Sequence, residues 1–464
     1  MWQTAWQLVG KFLWTLRIAL PKVAVGWMFA LLTIDFNRVA IVELGVAAVI
    51  VTTLLSIHYL LAPFQVIVGR LADTHPILGY RRTPYLLGAS IFASLLFVLL
   101  PRVAFAMGDG LPGATAAAIA LFVAFGLCMA VIADSYHSLI AETTDKETRS
   151  GVISVVWIVM ILSTIFSAVV MNAVRPSFSP EAMQTLYNLT PPIVIGAVLL
   201  GVIGVERRLG REELVAAAAR ARALAPAGNP LASAFRIVSA NRHTRAFFLF
   251  VACAVFALFL QESLIEVLGA EVFAMDIKQT TRFQPIWGAG ILLGMLLMGL
   301  LSAALKVPKK TVTLVGCVAA ASGFFLLGVI ALLRLEPLLV PTLFLMGVCA
   351  GVFNVGALAL MMDMTIEGAT GLYMGLWGVA QAFGMGGSAI AAGALHTALI
   401  GTGIMTPEGA YWLIFSAEAS LLLTAAWLLT RVDVDAFQRT AGAPAAGAAP
   451  ATSASTLDVA TATA

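Results

Sequence analysis

The stretch GRLADTHPILGYRRTPY, residues 69–85, concentrates polar chemistry between two long apolar runs. It contains one carboxylate, one histidine, three arginines, two prolines and two glycines. A carboxylate can cap a helix N-terminus, and arginines can form charge-assisted bonds with carboxylates or helix C-termini. The stretch could therefore be a catalytic loop, a ligand site or a mechanical latch.

A latch is the interpretation that uses most of these side chains. A glycine permits close helix approach, an aspartate can cap a helix, and paired arginines can hold neighbouring segments together. The predicted latch residues are Gly69, Asp73, His75, Gly79, Arg81 and Arg82. For His75, a role as ligand or pH sensor stays open beside a role in shaping the loop.

Ionisable side chains deep in the apolar runs are few, and each is costly unless it is paired. Glu262 and Glu266 lie one helical turn apart and share a face. Asp35 and Arg38 could pair with each other or with these two acids. The predicted polar cluster at the outer ends of the spans comprises Asp35, Arg38, Gln261, Glu262 and Glu266. No dense acid–base relay emerges, which argues against a proton-driven symporter.

The sequence predicts neither a metal site nor an enzyme. The four cysteines lie inside apolar runs and form no CxxC or Cys/His cluster, so they are predicted to be buried free thiols. No acidic metal-binding cluster and no nucleophile–base pair is evident. Glu418, in the last apolar run, is predicted to contact a partner helix.

Membrane helices must position these side chains. The 464 residues are 61% hydrophobic and 11% charged, whereas a soluble domain carries about 25% charged residues. Segments of about 20 apolar residues can each cross the hydrocarbon core. Twelve such spans are predicted near 20–41, 46–69, 83–107, 114–138, 150–173, 191–207, 246–268, 284–305, 310–332, 337–362, 370–397 and 409–431.

The longest polar stretch between spans divides the chain into two six-span halves. Lysine and arginine are concentrated on one side of the predicted membrane, so both termini are predicted to be cytoplasmic. The predicted domains are an interfacial amphipathic helix (1–19), an N-terminal half (20–207), a cytoplasmic basic linker (208–245), a C-terminal half (246–431) and a disordered cytoplasmic tail (432–464).

An internal repeat relates the two halves. AETTDKETRSGVISVVW after the fourth span matches MDMTIEGATGLYMGLWG after the tenth, with one residue gapped. The repeat-motif residues are Glu142, Arg149 and Gly151 in the first copy and Asp363 and Gly371 in the second. Duplicated halves of this kind predict an all-α major facilitator fold, in which the latch would hold the halves together on the cytoplasmic side. The glycine-rich eighth and eleventh spans are predicted to line the contact between halves.

Three stretches resemble the PucC/LhaA family, also called the bacteriochlorophyll delivery family of the major facilitator superfamily. They are NRVAIVELGV (37–46), the connector 69–85 and QESLIEVLGAEVFAMDIKQTT (261–281). The resemblance runs through most of residues 20–431. Val267 stands where proline is common in the family, and Ala270 stands where a second glycine is common.

The resemblance implies a role in the inner or intracytoplasmic membrane of a phototrophic bacterium. Family members assist the assembly of light-harvesting complexes, either by handing bacteriochlorophyll to antenna polypeptides or by guiding their association. The implied cofactor is bacteriochlorophyll, and the implied partners are light-harvesting antenna polypeptides and membrane lipid, with no nucleic acid.

Two histidines are candidates for binding a pigment of this kind. A chlorin needs a large apolar surface, flanking aromatic rings and one axial ligand for its magnesium, and neutral imidazole suits that ligation. His58 lies near the middle of the second span beside Tyr59, and His137 lies near the end of the fourth span. Each could instead be a structural histidine that is hydrogen-bonded within the helix bundle.

The function predicted from the sequence is therefore a membrane assembly factor for antenna complexes that binds or delivers bacteriochlorophyll. The alternative is a proton-coupled small-solute transporter of the major facilitator superfamily. Pigment bound to the purified protein would favour the first function, and solute uptake driven by a proton gradient would favour the second.

Overall fold

The computed structural model consists almost entirely of helices. It describes residues 2–62, 64–144, 146–175, 177–210, 212–214, 241–305, 307–364 and 370–441. No strand occurs among these residues. Long apolar runs form helices because a segment in lipid must satisfy each backbone group internally. The predicted all-α architecture is confirmed.

The N-terminal half is a bundle in which prolines begin several helices. Proline in the first turn of a helix removes only an amide that would have no partner there. In chain order the helices are α1 (Trp2–Ala19), α2 (Pro21–Ala30), α3 (Ala48–Leu60), α4 (Phe64–Thr74), α5 (Thr83–Gly108), α6 (Ala114–Thr143), α7 (Lys146–Val174), α8 (Pro180–Asn188) and α9 (Thr190–Val202). After α2 the chain continues in π-helical turns over Leu31–Phe36 and Val39–Glu43.

The C-terminal half begins where the side chain of Asn241 accepts the amide of His243, at 2.8 Å, and so caps the next helix. Its helices are α10 (Arg242–Leu260), α11 (Ile265–Glu271), α12 (Ile277–Thr280), α13 (Phe283–Leu305), α14 (Lys309–Leu333), α15 (Glu336–Asp363), α16 (Thr370–His396), α17 (Pro407–Thr430) and α18 (Val434–Ala441). A 3-10 turn over Gln261–Ser263 separates α10 from α11.

Twelve spans are predicted, and ten of them correspond to helices that are long and apolar enough to cross a membrane among the described residues. The first runs from Gly10 to Glu43, so the helix predicted to lie in the interface joins the first span directly. The second predicted span is divided into α3 and α4, and the eighth is α13, which has 23 residues.

The two halves have separate hydrophobic cores that interlock at one end of the bundle. We call this the outer end; it carries Glu43 and Glu271, and the inner end carries Glu142 and Lys309. Val267 and Ile277 belong to the C-terminal half of the chain but pack into the core of the N-terminal half. The α11–α12 region therefore reaches across the boundary between the halves.

Glycines permit close helix contact both between the halves and within one of them. Gly393 of α16 packs directly on Ala48 of α3, so this pair joins the halves near the outer end. In α13, however, Gly290 and Gly294 pack on the backbone of α15, which belongs to the same half. The expectation that eighth-span glycines line the contact between halves holds for Gly288, which faces Ile161 of α7.

The C-terminal segment contains one element that the sequence did not predict. Residues Val434–Ala441 form α18 in the range expected to be disordered. The Asp433 carboxylate caps this helix by accepting the amide of Ala436 at 2.9 Å, and this bond holds the pKa of Asp433 below its usual value. Most of the predicted basic linker (215–240) and the rest of the predicted tail (442–464) lie outside the described residues.

Candidate functional site

The paired arginines of the connector fasten it to the end of α6. Arg81 donates from Nη2 to Glu142 Oε1 at 2.9 Å. Arg82 donates to the same oxygen from Nε at 3.0 Å and from Nη2 at 2.9 Å. All three bonds are charge-assisted, and the Arg82 side chain is buried.

The backbone of the same segment is held by Glu206, which lies just after α9. One carboxylate oxygen of Glu206 accepts the amides of Arg81 and Arg82, at 2.6 and 3.0 Å. The other oxygen accepts the amide of Thr83 at 2.7 Å. Amides at a helix N-terminus have no partner within the helix, and a negative charge there is favourable. Glu206 was not predicted as a site residue from the sequence, because only folding brings it to the start of α5.

The rest of the connector forms a tight turn. Ile77 and Tyr80 exchange backbone hydrogen bonds of 2.9 Å, and Leu78 and Gly79 have positive φ angles of 54° and 89°. Glycine tolerates such an angle without cost, which explains the choice of residue at position 79. The carbonyl of His75 accepts the Tyr85 hydroxyl at 2.7 Å, an arrangement that favours a loop-shaping role for His75.

The carboxylates described for Arg81, Arg82 and Thr83 belong to the N-terminal half, and Arg208 and Leu209 of the predicted linker donate to the carbonyls of Leu78 and Gly79. Glu142 ends α6 and Glu206 follows α9, so these bonds brace one half and do not join the two halves. Gly69 and Asp73 lie in α4, and the side chain of Asp73 is outside what the structure describes. A latch between halves stays a prediction.

The C-terminal half has an equivalent contact. Lys309, at the start of α14, binds both oxygens of Asp363 at 2.8 and 2.9 Å. Asp363 ends α15 and is the repeat partner of Glu142. In each half, therefore, an acid at the end of the fourth span binds a base at the start of the third. Arg149 and Gly151 lie in the first two turns of α7, and Gly371 lies in the first turn of α16. The surroundings of these residues are outside the described side chains.

At the outer end, Asp35 forms a buried ion pair with Arg175, which directly follows α7 and whose side chain is only 2% exposed. Arg38 instead donates to Glu43 at 2.6 Å and to the carbonyl of Met275 at 3.3 Å. Of the two predicted alternatives, the pairing of Asp35 with Arg38 is not formed, whereas Arg38 does interact electrostatically with Glu266. The wide π-helical turns place residues three apart on different faces, so the side chains of Asp35 and Arg38 point to different neighbours.

Side chains satisfy the backbone where α10 breaks. Asn37 donates to the carbonyl of Ser263 at 2.8 Å, which joins the two halves. Glu418 of α17 is buried and accepts the amide of Gln261 at 3.2 Å. Glu418 therefore faces the interior of its own half, and the expected contact with a partner helix is wrong. Backbone that departs from the α-helix at membrane depth requires hydrogen-bond partners of this kind.

Glu266 is fully buried beside this break. Neither of its carboxyl oxygens has a hydrogen bond of good geometry among the described residues. Glu262, Arg38 and Gln284 are polar groups that interact with it electrostatically. Glu262 borders a cavity between the halves, and its sharing of a face with Glu266 stays a prediction.

His58 borders the same cavity. The lining comes from both halves and consists of Phe29, Leu32, Thr33, Leu55, His58, Tyr59, Phe259, Glu262, Ser263, Met385 and Ala389. Its volume is about 30 Å³, which is room for one or two water molecules. His58 Nδ1 lies 2.7 Å from the carbonyl of Leu55, the bond expected of a structural histidine. A chlorin macrocycle does not fit at His58 in this conformation.

His137 has different surroundings. Its side chain is exposed, and its ring centroid lies 6.0 Å from that of Tyr136, its neighbour on α6. Lys22 of α2 lies near His137, with its ammonium 5.7 Å from the Tyr136 ring and 5.2 Å from the Trp157 ring of α7. We call Lys22, Tyr136, His137 and Trp157 the Lys22 cluster. Neither Lys22 nor Trp157 was predicted from the sequence to be a binding residue.

A further polar group at the outer end ties three helices of the C-terminal half together. His396 Nε2 lies 3.0 Å from both oxygens of Glu271, and the Tyr411 hydroxyl donates to Glu271 at 2.9 Å. Across the described residues, no three His, Cys, Asp or Glu side chains are grouped so that they could hold a metal ion.

The chain is similar in sequence to a known protein family and to several of its relatives. The family described as PUCC protein matches residues 35–437. The chain is 29% identical to the bacteriochlorophyll synthase 44.5 kDa chain of Rhodobacter capsulatus, over 90% of this chain and 94% of that protein. It is 26% identical to Protein PucC of Cereibacter sphaeroides, over 88% of this chain and 89% of that protein.

Solved transporter structures share the fold. The nucleoside transporter NupG superposes with a TM-score of 0.65 at 15% identity, covering 90% of this chain and 98% of the transporter. A D-xylose-proton symporter gives a TM-score of 0.67 at 13% identity, covering 91% and 98%. At such identities the likeness concerns the fold alone, and it confirms the predicted major facilitator fold.

Proposed function

Because the chain belongs to the PUCC protein family, we propose that it is a membrane assembly factor for light-harvesting antenna complexes that associates with bacteriochlorophyll. The observation that carries this proposal is the match over residues 35–437, which spans both halves of the bundle. The matched range includes the residues of the connector and of the outer-end cluster as well as the helices that form the general fold. A role related to bacteriochlorophyll or light harvesting follows from the family, and the assembly step is the proposal.

The two histidine candidates differ in how well they suit a pigment. His58 is hydrogen-bonded in a cavity of about 30 Å³, whereas the imidazole of His137 is exposed near Lys22, whose ammonium also contacts the ring of Trp157, a residue that is 51% exposed. Bacteriochlorophyll would supply a magnesium ion that accepts one axial ligand, and an accessible neutral imidazole can provide it. His137 is therefore the better candidate to hold the pigment, with Trp157 against the macrocycle.

We propose a carrier or scaffold role in preference to catalysis. The fold is shared with transporters, which bind and release ligands without changing their covalent structure. One relative is named as a chain of bacteriochlorophyll synthase, and a partner protein that performs the chemistry would reconcile that name with a non-enzymatic subunit.

Deletion of the gene tests the proposal. We expect the near-infrared absorption of the antenna complexes to fall, while total bacteriochlorophyll extracted from the cells changes little. The deletion strain carrying the wild-type gene on a plasmid is the control and should recover the absorption. Normal antenna absorption in the deletion strain would contradict the proposal. Loss of pigment synthesis itself would point to a catalytic role.

A proton-coupled transporter is the second candidate, and one observation favours it. Glu262 and His58, two groups able to exchange protons, border a cavity lined by both halves. Such a cavity could open alternately to each side if the halves rocked. Uptake of a solute into vesicles in response to an imposed pH gradient would support transport, and retained antenna assembly in an uptake-defective Glu262→Gln variant would separate the two functions.

A further inference from the structure

Lys22 is a buried cation for which the described residues provide no counter-ion. The residue lies in the first turn of α2 and is 8% exposed. Within the described part of the chain, its ammonium makes no ion pair, and its recorded contacts are with the faces of the Tyr136 and Trp157 rings. Cation–π contacts offset only part of the cost of removing an ammonium from water.

Anchoring of the helix at the membrane surface does not explain why the Lys22 side chain is buried. Lysines near the ends of spans normally extend their ammonium groups towards water. Arg17, one turn earlier, does make conventional bonds to backbone carbonyls at the end of α9, including Leu200 at 3.0 Å. Lys22 instead points between α6 and α7, where the described residues offer it aromatic rings and no carboxylate.

The Lys22 cluster is accessible to a ligand from the side of its exposed members. His137 is exposed and Trp157 is 51% exposed, although Lys22, to which both lie close, is buried. Lys22 also precedes Phe29 by seven residues, so both lie on the same face of α2. Phe29 borders the cavity between the halves, which places the cluster on the inner side of that cavity.

We propose that the Lys22 cluster binds the anionic group of an amphiphile with a bulky apolar body. The Lys22 ammonium would pair with the carboxylate or phosphate, and the Trp157 indole would pack against the apolar part. Two sources share this chemistry: a tetrapyrrole with a free propionate and an anionic phospholipid. If the ligand is a tetrapyrrole, this inference rests on the proposed function. It then goes one step further, because the protein would distinguish a tetrapyrrole with a free propionate from the corresponding ester.

Binding of matched tetrapyrroles tests this proposal. The protein in phosphatidylcholine nanodiscs is titrated with pheophorbide a, which has a free propionate, and with its methyl ester, and fluorescence reports binding. Neither compound contains magnesium, so ligation by His137 does not contribute. We expect the free acid to bind about tenfold more tightly than the ester, as one charge-assisted bond would give. Lys22→Met should remove that preference, and Lys22→Arg should keep most of it.

Lys11→Met is the matched control, because Lys11 is an exposed lysine of α1, and it should leave the preference unchanged. In a parallel arm, native mass spectrometry counts retained phosphatidylglycerol. Lys22-dependent retention of this lipid, with no preference for the free acid, would assign the site to phospholipid. Binding of all three probes that is independent of Lys22 would overturn the proposal.

Stability of the ligand-free protein supplies a second measurement. Replacing a buried, unpaired charge with an apolar side chain of similar length should stabilise the fold. We therefore expect Lys22→Met to raise the thermal midpoint in detergent, whereas a structurally required lysine would give a lower midpoint. Neither readout depends on the antenna phenotype of the deletion strain, so failure of this inference and failure of the proposed function are distinguishable.

Discussion

Two glutamates bind different polar groups at the start of α5. Glu142 binds the guanidinium groups of Arg81 and Arg82, and Glu206 binds the backbone amides of the same two residues and of Thr83. The first interaction is between side chains, whereas the second satisfies donors that every helix start exposes. The two carboxylates thus hold the connector by independent means.

We expect Glu206→Ala to loosen the start of α5. The substitution leaves three amides without their acceptor, and loss of a cap costs about 1–2 kcal/mol. Hydrogen exchange of peptides covering residues 78–90 should accelerate, and the thermal midpoint in detergent should fall. Glu181→Ala, at an exposed glutamate in the first turn of α8, is the control. Unchanged exchange in the 78–90 peptides would show that Glu206 is dispensable.

The buried pair of Asp35 and Arg175 permits a test by single and double substitution. Asp35→Ala leaves a buried guanidinium without its partner, which costs about 3–5 kcal/mol. The double variant Asp35→Leu, Arg175→Met replaces both charges with apolar groups and should recover most of that loss. Thermal midpoints of the three proteins provide the comparison. A double variant as unstable as the single one would mean that the ion pair itself is required.

At the scale of elements, the helices depart from regular geometry at the outer end, where the halves interlock. The first span ends in π-helical turns, and α10 ends in a 3-10 turn. Asn37 and Glu418 supply the hydrogen bonds that the 3-10 segment needs. Irregular backbone is stable at this depth only because it is enclosed by protein.

The contact between α13 and α15 depends on glycine. A methyl group on Gly294 would collide with the backbone at Val348, so Gly294→Ala should destabilise the protein by about 1–3 kcal/mol through overpacking. Gly378→Ala in α16 is the matched control, because open space surrounds that position and alanine favours helix. The measurement is the thermal midpoint of each variant in detergent. Equal midpoints would show that α13 can move away from α15 at little cost.

For the whole molecule, the described contacts between halves lie at the outer end and near the middle. They include the Val49 amide, which donates to Thr397 Oγ1 at 3.1 Å, and the packing of Gly393 on Ala48. Polar bonds from Asn37 and Arg38 to the backbone of the opposite half reinforce them. This arrangement closes the outer end of the bundle.

A covalent link across this outer contact tests whether antenna assembly requires the outer end to open, as transport by alternating access would. In a variant without native cysteines, Val49→Cys and Thr397→Cys are joined in growing cells by a short bis-maleimide. We expect antenna absorption to persist, because assembly at the proposed site does not require the outer end to open. Single-cysteine variants treated in the same way are the controls. Loss of antennas only in the linked double variant would show that alternating access is needed.

The sequence by itself determined the membrane setting, the duplicated halves and the family. Apolar run length and the repeat around Glu142 and Asp363 are properties of the chain that can be read without a fold. The latch arginines and both histidine candidates were also identified by residue type, and the solved transporters confirm the fold predicted from the repeat.

Only the tertiary structure decided which side chains meet. Asp35 pairs with Arg175, Glu206 caps α5, and Lys22 lies beneath Trp157, and each pair is far apart in sequence. The physical reason is that a span surrounded by lipid is apolar on nearly every face, so its sequence pattern does not reveal its rotation. Helix packing sets that rotation, and it left His58 enclosed and His137 accessible.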